Sequence, residues 1–218
     1  FALRTERAQR LMKTLNVDGL LLTTEPEVRY FSGFHTAFWL SPTRPWFLVV
    51  PREGKPIAVI PEIGGTRMNE TWLDDIVMWP APRPNDEGIT ELTATIKGLK
   101  KISGVIGVPM GTESHIRMPF SDFKKLQENI RGIQLVDASP LIQELRKIKS
   151  EAEISKIRYI CQRVSEGFLE LPKIANLGDE EKEIFRKFRI DLLARGADEV
   201  PYLVGGSGPK GPTEVIGM

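Results

Sequence analysis

The sequence predicts an α/β fold: a mixed-sheet domain over residues 1–138, a linker or helix over 139–150, and the opening helices and strand of a second domain over 151–218. Three observations predict it. Apolar runs of strand length alternate with segments of helical periodicity as far as about Asp137. A turn at Arg52-Glu53-Gly54-Lys55 folds one such run back onto the previous one, which gives the sheet an antiparallel pair. Beyond Pro140 the pattern changes to two long helices and one strand, too few elements for an independent core.

The elements follow in order. Leu3, Ala8, Leu11, Met12 and Leu15 recur at helical spacing, and Asn16 and Gly19 punctuate before a strand over residues 20–23. Residues 25–30 read as a short helix with Pro26 tolerated in its first turn, closed by Gly33. Residues 34–45 hold aromatics, two prolines and no period, and read as a loop. Residues 46–50 and 56–60 are the hairpin strands. A helix is expected over 65–72, a strand over 76–79, a proline-rich loop over 80–86 and a helix on Ile89, Leu92, Ile96 and Leu99. Residues 105–108 and 134–136 read as strands flanking a helix over 121–129. In the second part, Ser150 and Glu153 form a capping box for a helix whose stripe is Ile154, Ile157, Cys161, Val164 and Phe168, with Pro172 expected to stop it. A second helix is expected from near Asp179, with Ile184, Phe188 and Leu192 on its face and Gly196 at its end, followed by a strand over 200–204.

Composition narrows the function classes. Of 218 residues, 41% are hydrophobic and 27% charged, which excludes a disordered chain and a disulfide-stapled miniprotein. Thirty basic residues against 29 acidic ones leave a net charge of +1, so no basic excess points to nucleic acid or an anionic membrane. The longest apolar runs are too short to span a bilayer. The single cysteine, Cys161, permits no internal disulfide and no cysteine-based zinc site, which favours a cytoplasmic setting; on its apolar stripe it reads as a core residue. The first residues are charged and lack a signal-peptide core, and with no initiator Met a trimmed start is expected.

Few motifs carry chemistry. Gly206-Ser207-Gly208-Pro209-Lys210-Gly211 matches the dinucleotide fingerprint in letters, but no helix follows it, and it reads as a turn between strands. His35 and His115 have no partner at metal-ligand spacing. The clusters Asp74-Asp75 and Asp179-Glu180-Glu181 read as the end of one helix and the start of another. The unusual segment is 34–46, where Phe34, Phe38, Trp39 and Trp46 accompany His35 and Arg44. Two readings stand: a binding loop held by a rigid sheet, or a loop whose aromatics pack back on the core. Arg44 is its sharpest member, because a planar guanidinium pairs bidentately with a carboxylate.

Three stretches carry a family resemblance. Tyr30-Phe31-Ser32-Gly33-Phe34, then Leu145-Arg146-Lys147-Ile148-Lys149-Ser150-Glu151-Ala152-Glu153-Ile154, then Leu177-Gly178 through Glu183-Ile184 with Arg195-Gly196-Ala197, fall in the order and spacing of one family. By these the chain resembles the creatinases, Xaa-Pro dipeptidases and aminopeptidases P: a creatinase-like N-terminal domain followed by the start of a pita-bread catalytic domain.

The resemblance implies a protein of about twice this length. It implies a homodimer, for which Phe38, Trp39 and Trp46 also suggest a surface needing cover. Two divalent metal ions (Mn, Co or Zn) are implied for a peptidase-type member and none for a creatinase-like one. The family's metal ligands lie beyond residue 218, so no catalytic residue and no metal ligand is expected in this chain. Where creatinases place an arginine that binds the substrate carboxylate, this chain has Arg44, and His35 and Trp39 are expected to share that substrate-binding role. Residues 206–218 contain no His where peptidase members usually carry one, and residues 41–46 are not the usual short crossover.

The implied activity is metal-dependent hydrolysis of a C–N bond in a proline dipeptide or a small carboxylate-bearing substrate. The alternatives are a catalytically inert peptide- or protein-binding member and a lyase acting on a small charged metabolite. No nucleic-acid or membrane partner is expected.

Overall fold

The computed structural model describes residues 1–41, 43–100, 102–206 and 216–217. The chain divides into two compact units, residues 1–148 and 149–218.

The first unit is a three-layer sandwich. Its strands are β1 (Gly19–Leu22), β2 (Phe47–Pro51), β3 (Ile57–Pro61), β4 (Asp75–Trp79), β5 (Val105–Val108) and β6 (Gln134–Asp137), in the sheet order β4-β3-β2-β1-β5-β6. β2 is antiparallel to both neighbours and every other pair is parallel, so β2 alone runs against the rest. Its helices are α1 (Ala2–Thr14), α2 (Glu25–Ser32), the single turn α3 (Gly65–Met68), α4 (Ile89–Gly98), α5 (Phe120–Asn129) and α6 (Ser139–Lys147).

The period of two along the strands sorts the core. Leu20, Leu22, Leu48, Val50, Ala58 and Ile60 meet α1, α2, α3 and α6 on one face. Leu21, Phe47, Val49, Val59, Ile106 and Val108 meet α4 and α5 on the other. Both faces are covered, so β1 and β2 read as continuous apolar runs rather than alternating ones. Each such Leu, Ile, Val or Phe contributes about 1.5–3 kcal/mol on burial. A slip of one residue would exchange the two faces, which fixes the register.

Several expectations need correction. The helix expected over 65–72 stops at Met68, where Thr71 Oγ1 donates to Met68 O (2.7 Å) and accepts from Leu73 N, closing a turn instead of another helical turn. Asp74 and Asp75 therefore do not end a helix; they lead into β4, and Asp74 pairs with Lys55 at 2.8 Å. Leu3 and Leu15, at the ends of α1, are exposed, and Thr5, Ala8 and Met12 form its buried face. The loop over 34–45 contains a 3₁₀ turn, Ala37–Leu40, whose Phe38 N donates to Thr36 Oγ1.

The second unit consists of α7 (Glu151–Ile174), α8 (Glu181–Ala194) and a two-residue ladder between β7 (Val204–Gly205) and β8 (Ile216–Gly217). Ser150 starts α7 through the capping box: Glu153 N donates to Ser150 Oγ (3.3 Å) and Ser150 N to Glu153 Oε2 (2.9 Å). Pro172 does not stop α7. The hydrogen bond it forfeits lies in the last turn, and Ala175 N donates to Leu171 O to close the helix.

Cys161 is exposed rather than core. Gly167 of α7 lets Leu192 and Phe188 of α8 approach, and Tyr159, two turns earlier on the same side, meets Gly196. The covered side of α7 is thus the one through Tyr159 and Gly167, and the stripe of Ile157 and Cys161 points elsewhere. α8 starts two residues later than expected; Asp179 precedes it, accepting from Asn176 N and Lys187 Nζ. The strand expected over 200–204 is reduced to Val204–Gly205. The glycine-rich turn from Ser207 to Gly211 lies outside the described residues.

Candidate functional site

The carboxyl ends of β1 and β5 and the amino end of β2 meet at one edge of the sheet, and the loop over 34–46 hangs there. β1 passes through Thr23 and Thr24 into α2, whose Glu27 carboxylate accepts from both backbone N–H groups (3.4 and 3.2 Å). The motif Tyr30-Phe31-Ser32-Gly33-Phe34 then ends the helix. Gly33 takes φ +80°, which few side chains tolerate, and a Cβ there would also meet the Phe1 ring. Ser32 Oγ donates to Val28 O (2.6 Å) and accepts from Phe34 N (3.0 Å), while Tyr30 Oη donates to Leu145 O (3.1 Å). Phe31 and Phe34 are buried. The motif therefore launches the loop and ties α2 to α6; its groups are engaged in the fold.

The loop is anchored by its aromatics. Trp46 is 1% exposed and Trp39 7%. Phe34, Trp39 and Phe38 pack around Trp46 at centroid distances of 5.2, 5.9 and 6.4 Å. Gly64 leaves the space that the Trp46 ring fills. The sequence-based expectation of a surface formed by Phe38, Trp39 and Trp46 is thus corrected. The two indoles pack against each other inside the core, and the outward groups are Phe38 (44% exposed) and Leu40 (89%).

The charged residues are arranged around this anchor. His35 Nδ1 lies 3.0 Å from Glu25 Oε1, and Arg29 approaches the same oxygen at 3.9 Å. Arg44 adopts φ +57°, a left-handed conformation, and its backbone N donates to Glu87 Oε2 (3.2 Å). Among the described residues its half-buried side chain makes no ion pair. No hydrogen bond, ion pair or ring contact joins His35, Trp39 and Arg44 to one another among the described residues. They share one loop and point to different neighbours.

Sequence reading missed Arg117. Its backbone N donates to Thr23 Oγ1 (3.0 Å), its guanidinium donates to Ser41 O, and its charge sits over the Trp39 ring at 5.2 Å from the centroid. Desolvation holds the guanidinium below the usual arginine range, with the charge of Glu25 acting in the opposite sense. Glu25 was likewise passed over, as an ordinary acid in a first helical turn.

Other perturbed groups are tied into the fold. At the opposite edge, burial pushes the Asp18 carboxyl up, but donors from the Ile102, Gly104 and Ser103 backbone outweigh it and hold it below the ordinary carboxylate range. Asp137 accepts from Ser139 Oγ (2.6 Å), Ser139 N and Met110 N, and these bonds lower it too. Arg83 is forked onto Glu91 and flanked by Asp86. Among the described residues no three His, Cys, Asp or Glu side chains converge as a metal site, and no helix is long and apolar enough to cross a membrane.

Comparison with known proteins fits this architecture. Residues 4–148 match the family model described as Creatinase/Prolidase N-terminal domain. Agropine synthesis cyclase from Rhizobium rhizogenes is 28% identical over 175 residues, covering 76% of this chain and 41% of its own length. Xaa-Pro aminopeptidase 3 from Homo sapiens is 27% identical over 144 residues, covering 57% of this chain and 27% of its own length. The chain therefore spans less than half of these two relatives. The crystal structure of a prolidase from Thermococcus sibiricus superposes with a TM-score of 0.78 at 22% identity, over 93% of this chain and 53% of that one. That likeness shows the fold and extends into the second unit. The matched stretch takes in all six strands of the large sheet and the helix that packs against α1, and the chain accordingly belongs to the creatinase/prolidase N-terminal domain family.

Proposed function

We propose that this chain is the substrate-capturing part of a metal-dependent hydrolase that cleaves the C–N bond of a proline dipeptide or of a small carboxylate-bearing compound. The observation that carries the reading is the family match over residues 4–148, together with relatives that include an Xaa-Pro aminopeptidase. In this reading the part of this chain in the reaction is binding and orientation. A metal pair (Mn, Co or Zn) would activate water and polarise the scissile carbonyl in a peptidase-type enzyme.

In this reading Arg44 takes the substrate carboxylate, and His35 lies on the same loop. Trp39 supports the loop from within. The full-length protein works as a cytoplasmic homodimer, with the exposed Phe38 and Leu40 as the apolar surface to be covered. Arg44→Lys in the full-length protein is expected to raise KM by about 10- to 150-fold, the worth of one charge-assisted contact, and to leave the melting temperature in place. Unchanged KM and kcat would end this assignment.

A second reading has its own support. A relative whose name is that of a cyclase aligns over more of this chain than the aminopeptidase does. The full-length protein would then act on a small charged metabolite. Assaying it on Xaa-Pro dipeptides beside a panel of small carboxylates separates the two, since turnover of only one class identifies the reaction.

A further inference from the structure

We propose that Arg117, seated on Trp39, forms a binding site for a carboxylate with an apolar body, such as a peptide C-terminus. The proposal goes beyond the role given to Arg44 and needs no assumption about which bond the full-length protein cleaves.

Arg117, like Arg44, differs from the half-buried cations that the fold pairs with a carboxylate. Arg83 has Glu91 and Asp86, Arg195 has Asp191 on two nitrogens, Arg163 has Glu166, and Arg52 has Asp18 at 3.6 Å. Arg117 has no carboxylate within ion-pair distance among the described residues. Its partners are a neutral carbonyl at Ser41 and the face of an indole. A partly desolvated charge left without a counter-charge is costly, and an incoming anion relieves that cost.

Glu25 does not supply the anion. Glu25 acts on Arg117 electrostatically but makes its close contacts with His35 at 3.0 Å and Arg29 at 3.9 Å. The remaining guanidinium nitrogens make no hydrogen bond among the described residues and are not sealed from solvent. A planar fork of this kind accepts a carboxylate edge-on.

The site is also held in place beforehand. The Arg117 backbone is fixed at Thr23, the guanidinium at Ser41, and the indole beneath it is buried in the core. Such preorganisation lowers the ordering cost of binding. Phe38 belongs to the same 3₁₀ turn as Trp39, stacks on Trp46 and remains partly exposed, which offers an apolar surface to the body of the ligand.

The test is calorimetric titration of the 218-residue chain with N-acetyl-L-phenylalanine, with its neutral amide as the control. The acid is expected to bind and the amide to bind at least about tenfold more weakly, as for one charge-assisted contact. Arg117→Met should abolish the preference for the acid, and Arg117→Lys should restore it in part. Equal binding of acid and amide, or acid affinity retained in Arg117→Met, would overturn the proposal. The readout is binding alone, so its failure leaves the hydrolase reading to its own kinetic test.

Discussion

The two ends of β1 treat charge in opposite ways. At the amino end, Asp18 is buried and its carboxylate collects backbone donors from residues 102–104, with Arg52 at 3.6 Å. Asp18 and Arg52 there are answered by the fold. At the carboxyl end, Arg117 is desolvated and answered only by a carbonyl and an aromatic face, while Arg44 makes no ion pair among the described residues. A charge that is satisfied internally stabilises structure; one that is positioned but unanswered is available to a ligand. That difference separates staple from site more sharply than exposure does.

The comparison can be broken from either end. The largest effect belongs to the anchor of the loop: Trp46→Ala removes a buried ring that three other aromatics touch, and should cost about 3–5 kcal/mol in a chemical melt. Next comes Asp18→Ala, which takes the buried carboxylate away from the backbone donors of residues 102–104 and from Arg52 and should cost about 3–5 kcal/mol. If either costs under about 0.5 kcal/mol, as an ordinary surface substitution does, the two ends are not built as described.

A pH titration sharpens the same contrast. The folded-state pKa of Asp18 is lowered, so its stabilisation is present above the unfolded value of about 3.9 and is lost as pH falls through the lower folded value. Asp86 and Asp137 are lowered as well and act in the same window. Melting temperature followed from pH 6 to pH 2 should therefore fall on the acid side, and Asp18→Asn should flatten that fall. An acid limb identical to the parent would remove Asp18 from the account.

The smallest effect is at Arg44. Its left-handed backbone costs an L-residue about 1–2 kcal/mol, whereas glycine adopts it freely but pays about 0.5–1 kcal/mol in chain entropy. Arg44→Gly should leave stability equal or up to about 1 kcal/mol higher while weakening substrate use in the full-length protein. A loss of stability above about 1 kcal/mol would make Arg44 a staple like Asp18.

How far the sequence could be read follows the reach of each interaction. Short apolar runs set between helical segments named all six strands of the large sheet, because both faces of that sheet are buried and the signal is local. The capping box at Ser150 was legible for the same reason: its partners are three residues apart. Burial of Trp39 and Trp46 was legible only as one of two readings, because the space that accepts Trp46 is made by Gly64 on another element. Cys161 misled because a helical stripe says which residues share a face but not which face a neighbour covers. Arg117 left no local signal at all: its carbonyl partner is 76 residues away and its threonine partner 94.

The most direct measurement is a backbone and indole amide NMR titration of the 218-residue chain with N-acetyl-L-phenylalanine. The account predicts shifts at the Trp39 indole, Ser41, Arg117 and the Glu25–His35 pair, with none at Asp18 or residues 102–104. Shifts centred on the amino end of β1, or no shifts at either end, would contradict it.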